Sequence, residues 1–181
     1  CNVMPELRVE YSPHTEHTII AQRRLDSIKA SFIEAGTASA ASPVVGVHVR
    51  RGDILKQKHW FNVPSVEYIH SAMDWYRRRY VDPIFVVCSG GSRTPGDHEG
   101  VNWCKDNLKR PNVHIHQEGT DFEDFALLAS CDHAVITSGT FGWWAAWMTG
   151  GHVVAWRNWE NQDIYQGHEA DFFPPPWILL E

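Results

Sequence analysis

The chain has no stretch approaching the ~20 consecutive apolar residues that a membrane-spanning helix needs. Its opening, Cys1-Asn2-Val3-Met4-Pro5-Glu6, carries neither the basic nor the apolar region of a secretory signal. No initiator Met precedes it, so the sequence reads as a fragment. Positive charge is in short supply: 16 Lys and Arg face 22 Asp and Glu, for a net charge of −6. A protein that must neutralise many phosphates is usually basic, so nucleic acid is not expected as a partner. Four cysteines without a Cys-x-x-Cys spacing exclude a disulfide scaffold, and Cys88 and Cys131 read as core thiols. His-Glu-x-x-His, Gly-x-Ser-x-Gly and Gly-Lys-Ser/Thr are all missing, as is an Asp-x-Asp pair that would hold a nucleotide-bound divalent ion. What remains, 43% hydrophobic and 21% charged residues, is the composition of an ordinary globular protein.

The most informative stretch is Val44-Val45-Gly46-Val47-His48-Val49-Arg50-Arg51-Gly52-Asp53. Its β-branched first half suits a strand buried on both faces of a parallel sheet. Its second half delivers His48, Arg50, Arg51 and Asp53 at the strand's carboxyl end, where open α/β sheets bind ligands. Residues two apart share a face of a strand, so His48 and Arg50 point the same way. An anion site, most simply for phosphate, is the expectation. Arg51-Gly52-Asp53 also spells an adhesion tripeptide, but one that follows directly on a buried strand lacks the exposed loop tip such a motif needs.

Before this strand, apolar residues Ile19, Ile20, Leu25, Ile28 and Phe32 recur at helical spacing and predict a helix over 17–35, ended by Gly36. Small polar residues from Thr37 to Pro43 follow. Residues 1–42 are therefore expected to be the tail of a preceding domain with a linker, and residues 43–181 the main domain. From Val44 onward strands and helices alternate. Pro64 predicts the first turn of a helix whose apolar face is Ile69, Met73, Tyr76 and Tyr80, with Arg77-Arg78-Arg79 on a solvated face. Ile84 to Cys88 reads as a buried strand, and a Gly/Ser/Pro loop then leads to a helix over 101–108. Val113-His114-Ile115-His116 is a third strand; its two histidines share a face but lack a third ligand for a metal. Thr120-Asp121-Phe122-Glu123 fits a capping box opening a helix through Ala129, with Asp124 in its first turn.

Ala134-Val135-Ile136-Thr137 is a strand, Ser138-Gly139-Thr140-Phe141-Gly142 a tight turn, and Trp143 to Thr149 an apolar helix. Gly150-Gly151 stops it and Val153 to Trp156 is the next strand. A helix that starts on such a turn offers free N–H groups and a favourable dipole to a phosphate. Residues 157–181 lack periodicity and read as packed loop. Arg50 at one strand end, with its fork of donors, and the neutral donors of the Ser138–Gly142 turn at another could together grip a diphosphate without a metal. Growing charge on a departing diphosphate would be stabilised by the same preorganised donors.

His48-Val49-Arg50-Arg51-Gly52-Asp53 and the run from Ile136 through Trp143-Trp144-Ala145-Ala146-Trp147 to Gly151 closely resemble two motifs of the animal galactoside alpha-1,2-fucosyltransferases. Asp124 to Leu128, Phe173-Pro174-Pro175-Pro176-Trp177 and the stretch Tyr68 to Tyr80 resemble further parts of that family, in the same order. The resemblance implies an α/β fold: a Rossmann-like parallel sheet flanked by helices, the C-terminal donor-binding half of a GT-B glycosyltransferase. It implies inverting, metal-independent transfer of L-fucose from GDP-β-L-fucose to the 2-hydroxyl of a terminal galactose on a glycan acceptor. By resemblance, Arg50 contacts the diphosphate, Arg51 lies beside it, and His48 and Asp124 serve the nucleotide side. Ser138, Gly139, Thr140 and Phe141 hold the pyrophosphate. Asp53 is the nearest carboxylate for a catalytic base, although pairing with Arg51 or capping the next turn is the simpler account of it. No cofactor is expected, GDP-fucose being a substrate. The family also implies a place on the lumenal side of the Golgi membrane, through an N-terminal anchor absent from this chain. A donor-binding fragment or inactive homologue that holds GDP without transfer is the alternative reading.

Overall fold

In the computed structural model the described residues are 4–56, 59–90, 99–117, 119–159 and 169–181. The run Val44–Val49 forms strand β1, and every residue in it is buried. Strand alternation sends Val45, Val47 and Val49 into one core and Val44 into another on the opposite face. Strands β2 (Ile84–Ser89), β3 (Val113–Ile115), β4 (His133–Ile136), β5 (Val153–Trp156) and β6 (Ile178–Leu180) complete a six-stranded sheet ordered β3-β2-β1-β4-β5-β6. Every pairing is parallel. The order runs outward from β1 one way and from β4 the other, so the β1–β4 junction is the topological switch point. At that junction His48 is in register with Ile136.

Among the described residues there are seven helices: α1 (Met4–Glu10), α2 (Thr15–Glu34), α3 (Val66–Arg77), α4 (Glu99–Asn107), α5 (Asp121–Ala129), α6 (Thr140–Thr149) and α7 (Glu169–Phe172). On one face α3 and α4 bury Tyr68, Ile69, Met73, Tyr76 and Cys104 against the odd-numbered valines of β1. On the other, α2 and α5 bury Leu25, Ile28, Leu127 and Leu128 against Val44, Val86 and Cys88. The result is an α/β/α sandwich with a Rossmann-like sheet. Two buried tyrosines of α3 reach through to β4. Tyr68 donates its hydroxyl to the Ile136 carbonyl at 2.7 Å, and Tyr76 donates to the Ala134 carbonyl at 2.8 Å. Tyr68 therefore pins the last residue of β4, immediately before the turn that forms the site.

The expected strands and helices recur with shifts of one to three residues, apart from three differences. The third helix begins at Val66, outside Pro64: Ser65 is its N-cap and accepts the Tyr68 N–H. Arg78 and Arg79 are exposed as expected, but Arg77 is half-buried, its guanidinium 4.8 Å over the Phe85 ring and its Nη2 donating to the Pro111 carbonyl. The tail holds a short helix, α7, and a sixth strand, β6, where packed loop was expected. Strand β6 is only three residues long and follows a proline run, so no period could announce it. The helix expected over 17–35 is α2, and it packs on α5 and contributes to the second core.

Candidate functional site

The β1 and β4 ends are stitched together by one threonine. Thr137 receives the Arg50 N–H on Oγ1 at 2.9 Å, while its own N–H donates to the His48 carbonyl at 3.3 Å. Arg50 and the Ser138–Gly142 segment therefore emerge side by side at the switch point. The Arg50 side chain runs past two glycines: an added Cβ would lie 4.0 Å from its Cγ at Gly139 and 3.6 Å from its Nη1 at Gly90. Gly139 has φ 91° and ψ 150°, a conformation open to glycine almost alone. It caps α6 with no side-chain hydrogen bond, leaving the first-turn N–H groups of α6 to another acceptor. Ser138 beside it is 4% exposed, and its Oγ has no hydrogen-bond partner among the described residues. An uncapped helix start with a buried, unpaired hydroxyl and an arginine beside it is an arrangement suited to holding an anion.

His48 closes the floor. It is 3% exposed, its ring is 5.3 Å from that of Phe141, and it stands against Gly142 so closely that a Cβ there would fall 2.3 Å from Nδ1. Burial, reinforced by the nearby charge of Arg50, lowers its pKa from 6.5 to about 3, so the imidazole is neutral at physiological pH. Phe141 also meets Phe125 of α5 edge-on at 5.5 Å, which links His48 to the helix carrying Asp124. Asp124 lies in the first turn of α5, with His116 Nε2 3.5 Å from its Oδ1 and both side chains largely buried. The expected capping box is present: Glu123 N–H donates to Thr120 Oγ1 and the Thr120 N–H to Glu123 Oε2. Gly119, at φ +131°, keeps this corner tight, since a Cβ there would sit 2.8 Å from Asp124 Oδ1.

The structure thus joins Arg50, His48, Ser138, Gly139, Thr140 and Phe141 at one place, with Asp124 on the adjoining helix. Thr140 is the first residue of α6. Arg51 goes elsewhere: its guanidinium stacks 4.1 Å over Trp103 of α4. Asp53 falls in a short 3-10 turn, Gly52–Lys56, and its side chain lies outside the described residues. Of His114 and His116, the second is engaged by Asp124, and no group of three potential metal ligands occurs among the described residues. Sequence reading missed Thr137 and Gly90 as parts of the site, and it included Gly142 in the turn without its close approach to His48. Thr137 carried a signal, a hydroxyl residue directly after a buried strand; the glycines show their purpose only once Arg50 and His48 are in position.

A cleft of about 490 Å³ opens beside the α6 start, within the usual range for small-molecule sites. Ser138, Gly139 and Thr140 form part of its lining. A larger hollow of about 700 Å³ lies at the opposite ends of the strands, beside Ser42, Asp132 and Gly151. Ligands of open α/β sheets sit beyond the carboxyl ends, which selects the smaller one.

The sequence profile of Glycosyl transferase family 11 matches residues 4–181. The chain belongs to that family. Family 11 relatives include galactoside alpha-(1,2)-fucosyltransferase 1 of Bos taurus, 36% identical over 96% of this chain and 48% of the relative. The Rattus norvegicus protein of that name is 37% identical over 96% of this chain and 46% of the relative, and the Homo sapiens one 34% identical over 96% and 47%. The chain spans about half the length of these relatives. Among solved structures, the glycosyl transferase family 9 protein of Veillonella parvula matches with a TM-score of 0.50 at 14% identity, covering 93% of this chain and 41% of that one. That likeness is one of fold, and the family 11 chain shares the Rossmann-like half of a GT-B architecture. Among the described residues no helix is long and apolar enough to cross a membrane.

Proposed function

We propose that this chain is the donor-binding half of a galactoside 2-α-L-fucosyltransferase, taking GDP-β-L-fucose and passing fucose to the 2-hydroxyl of a terminal galactose. The observation that carries the reading is the convergence of Arg50 with the uncapped α6 start, tied together through Thr137. The galactose oxygen attacks C1 of fucose from the face opposite GDP. The C1–O bond to the β-phosphate breaks, its electron pair stays on the phosphate oxygen, and the anomeric centre inverts from β to α. Arg50, the Ser138 hydroxyl and the N–H groups of Thr140 and Phe141 receive the growing negative charge, which supplies without a metal ion what catalysis most needs. His48 and Asp124 serve the nucleotide side, and Asp53 is the candidate acceptor of the hydroxyl proton. Arg51 supports the strand end through Trp103. A division of the chain near residue 42, with α2 carried on the sheet, and a Golgi lumenal setting belong to the same reading.

Removing a charge-assisted diphosphate contact costs roughly 1.5–3 kcal/mol. Arg50→Ala should therefore weaken GDP binding by about 10- to 100-fold, measured by calorimetric titration. Arg50→Lys should recover only part, since an ammonium lacks the fork. Unchanged GDP affinity in a folded Arg50→Ala protein would refute the assignment. A unit that binds GDP without transferring fucose is the alternative reading, which the relatives' names do not favour. Transfer of labelled fucose to lactose-type acceptors separates the two: GDP binding without labelled product would put the second in place of the first.

A further inference from the structure

Helix α3 carries two phenols into the sheet, the earlier one at the carboxyl end of β4 and the later one nearer its amino end. Both are deeply buried: Tyr68 is 1% exposed and Tyr76 not at all. Phenylalanine would pack as well, so each hydroxyl must meet an acceptor inside the core. Each finds two, one on β4 and one on β5. Tyr68 Oη lies 2.7 Å from the Ile136 carbonyl and 3.4 Å from that of Val154. Tyr76 Oη lies 2.8 Å from the Ala134 carbonyl and 2.7 Å from that of His152. A phenol has one proton to give. Tyr68 gives it mainly to Ile136, whereas Tyr76 divides it between the two strands. Burial pushes the Tyr68 phenol well above its ordinary pKa, so the donor stays protonated. The Tyr68 backbone is set in its turn by the helix cap, its N–H donating to Ser65 Oγ at 3.3 Å.

The segment that follows Ile136 does little to hold itself. Gly139 has no side chain to steer it, and Ser138 Oγ makes no hydrogen bond among the described residues. On the helix side the Gly139 carbonyl accepts the Trp143 N–H at 3.2 Å. On the strand side the ties fall on one peptide unit. Its carbonyl, that of Ile136, takes the Tyr68 proton, and its N–H, that of Thr137, donates to His48 of β1. The two groups share one rigid plane, so a shift of either moves both. The Thr137 hydroxyl beside them accepts the Arg50 N–H. We infer that Tyr68 is a positioning residue for the donor: by clamping the Ile136–Thr137 peptide from the α3 side, its hydroxyl sets where Arg50 and the start of α6 stand relative to each other. The inference rests on the donor reading above. Tyr76 has the same chemistry on the same strand, but its bond falls two residues earlier and supports the core alone.

The test sets Tyr68→Phe against Tyr76→Phe in the purified chain. Each removes one buried hydroxyl, and the two should lose comparable stability in urea. GDP affinity, titrated calorimetrically well below either melting temperature, should fall about 5-fold in Tyr68→Phe and stay within about twofold in Tyr76→Phe. Without nucleotide, exchange of the Arg50 amide proton with solvent should quicken about 5-fold more in Tyr68→Phe than in Tyr76→Phe. Thr137→Val leaves α3 untouched and removes the acceptor of the Arg50 N–H. It should also weaken GDP about 5-fold, and the Tyr68→Phe/Thr137→Val pair should lose less than the product of the two single losses. Equal GDP losses in the two tyrosine variants would reflect core stability alone and overturn the inference. So would full GDP affinity in Thr137→Val, whatever the fate of Tyr68→Phe, because the route through Thr137 would then carry nothing. If the unaltered chain binds no GDP, the donor reading falls and this inference with it. If it binds GDP and Tyr68→Phe binds it as tightly, only the inference falls.

Discussion

Gly142→Ala is the sharpest probe of the site, because helix propensity and packing push it in opposite directions. Alanine within a helix is favoured over glycine by up to about 1 kcal/mol. At this position the new Cβ would lie 2.3 Å from His48 Nδ1, 2.9 Å from Cγ and 3.2 Å from Cβ. Turning the ring cannot relieve all three contacts, since the crowding reaches the Cβ, and His48 is held in a central strand between Cys88 and Ile136. The start of α6 must lift off the sheet. Overpacking of this kind costs about 1–3 kcal/mol, which outweighs the propensity gain. A net loss of about 1–2 kcal/mol corresponds to a melting temperature lower by roughly 2–8 °C for a chain of this size. GDP affinity should fall too, as the N–H groups of α6 move away from Arg50. The decisive assay is a double-mutant cycle in urea with His48→Ala, which removes the ring that the new methyl strikes. The pair should be less destabilised than the sum of the two single changes. A Gly142→Ala protein as stable as the parent with full GDP affinity, or strict additivity in the cycle, would refute the reasoning.

Acid should destabilise the fold through His48. Burial holds its native pKa near 3, against 6.5 when free, so the unfolded chain takes up a proton that the native chain refuses. The associated stability is intact above about pH 6.5 and is lost progressively as the pH falls toward 3. His114 and His133, lowered by burial, act in the same direction. The urea midpoint should drop between pH 7 and pH 5, less so in His48→Gln; a flat midpoint would contradict this. Arg51→Ala should cost about 1 kcal/mol of stability through the lost Trp103 stack while leaving GDP affinity within about threefold. A GDP loss as large as that of Arg50→Ala would show that Arg51 reaches the ligand after all. Thr120→Ala removes the α5 capping box and should cost about 1 kcal/mol, visible as a lower melting temperature; an unchanged melt would mean that the cap contributes nothing here.

The central strands and the anion turn were legible because they are marked by composition at short range. Val44 to Val49 is apolar and β-branched without interruption, and Thr120 with Glu123 is a helix start written in four residues. The glycine-flanked turn after Ile136 was equally clear as a strand-to-helix turn, although the turn proper is shorter than expected, with α6 already under way at Thr140. Pro64 misled, because proline fits a first helical turn while Ser65, one residue later, offered a side-chain cap that proline cannot supply. The different fates of Arg50 and Arg51 were not readable from adjacent letters. Opposite sides of the chain face different layers, and only the fold brings Trp103 under one and Gly139 beside the other. The cleft beside the α6 start was illegible for a similar reason: Phe61, Trp143, Trp159 and Phe172 share no spacing, and only the fold brings them to one lining.

Helix α1 is fastened to the far end of the helix that begins at the anion turn. Arg8 lies 4.5 Å over the Trp147 ring and donates to the Trp147 carbonyl, and Tyr11 stacks on Trp144 at 4.1 Å. Helix α6 is thus a short rod of ten residues gripped toward one end by the leading segment, with its other end at the Gly139 turn. A substitution that loosens Arg8 or Tyr11 would therefore disturb the same rod whose other end carries the proposed donor contacts.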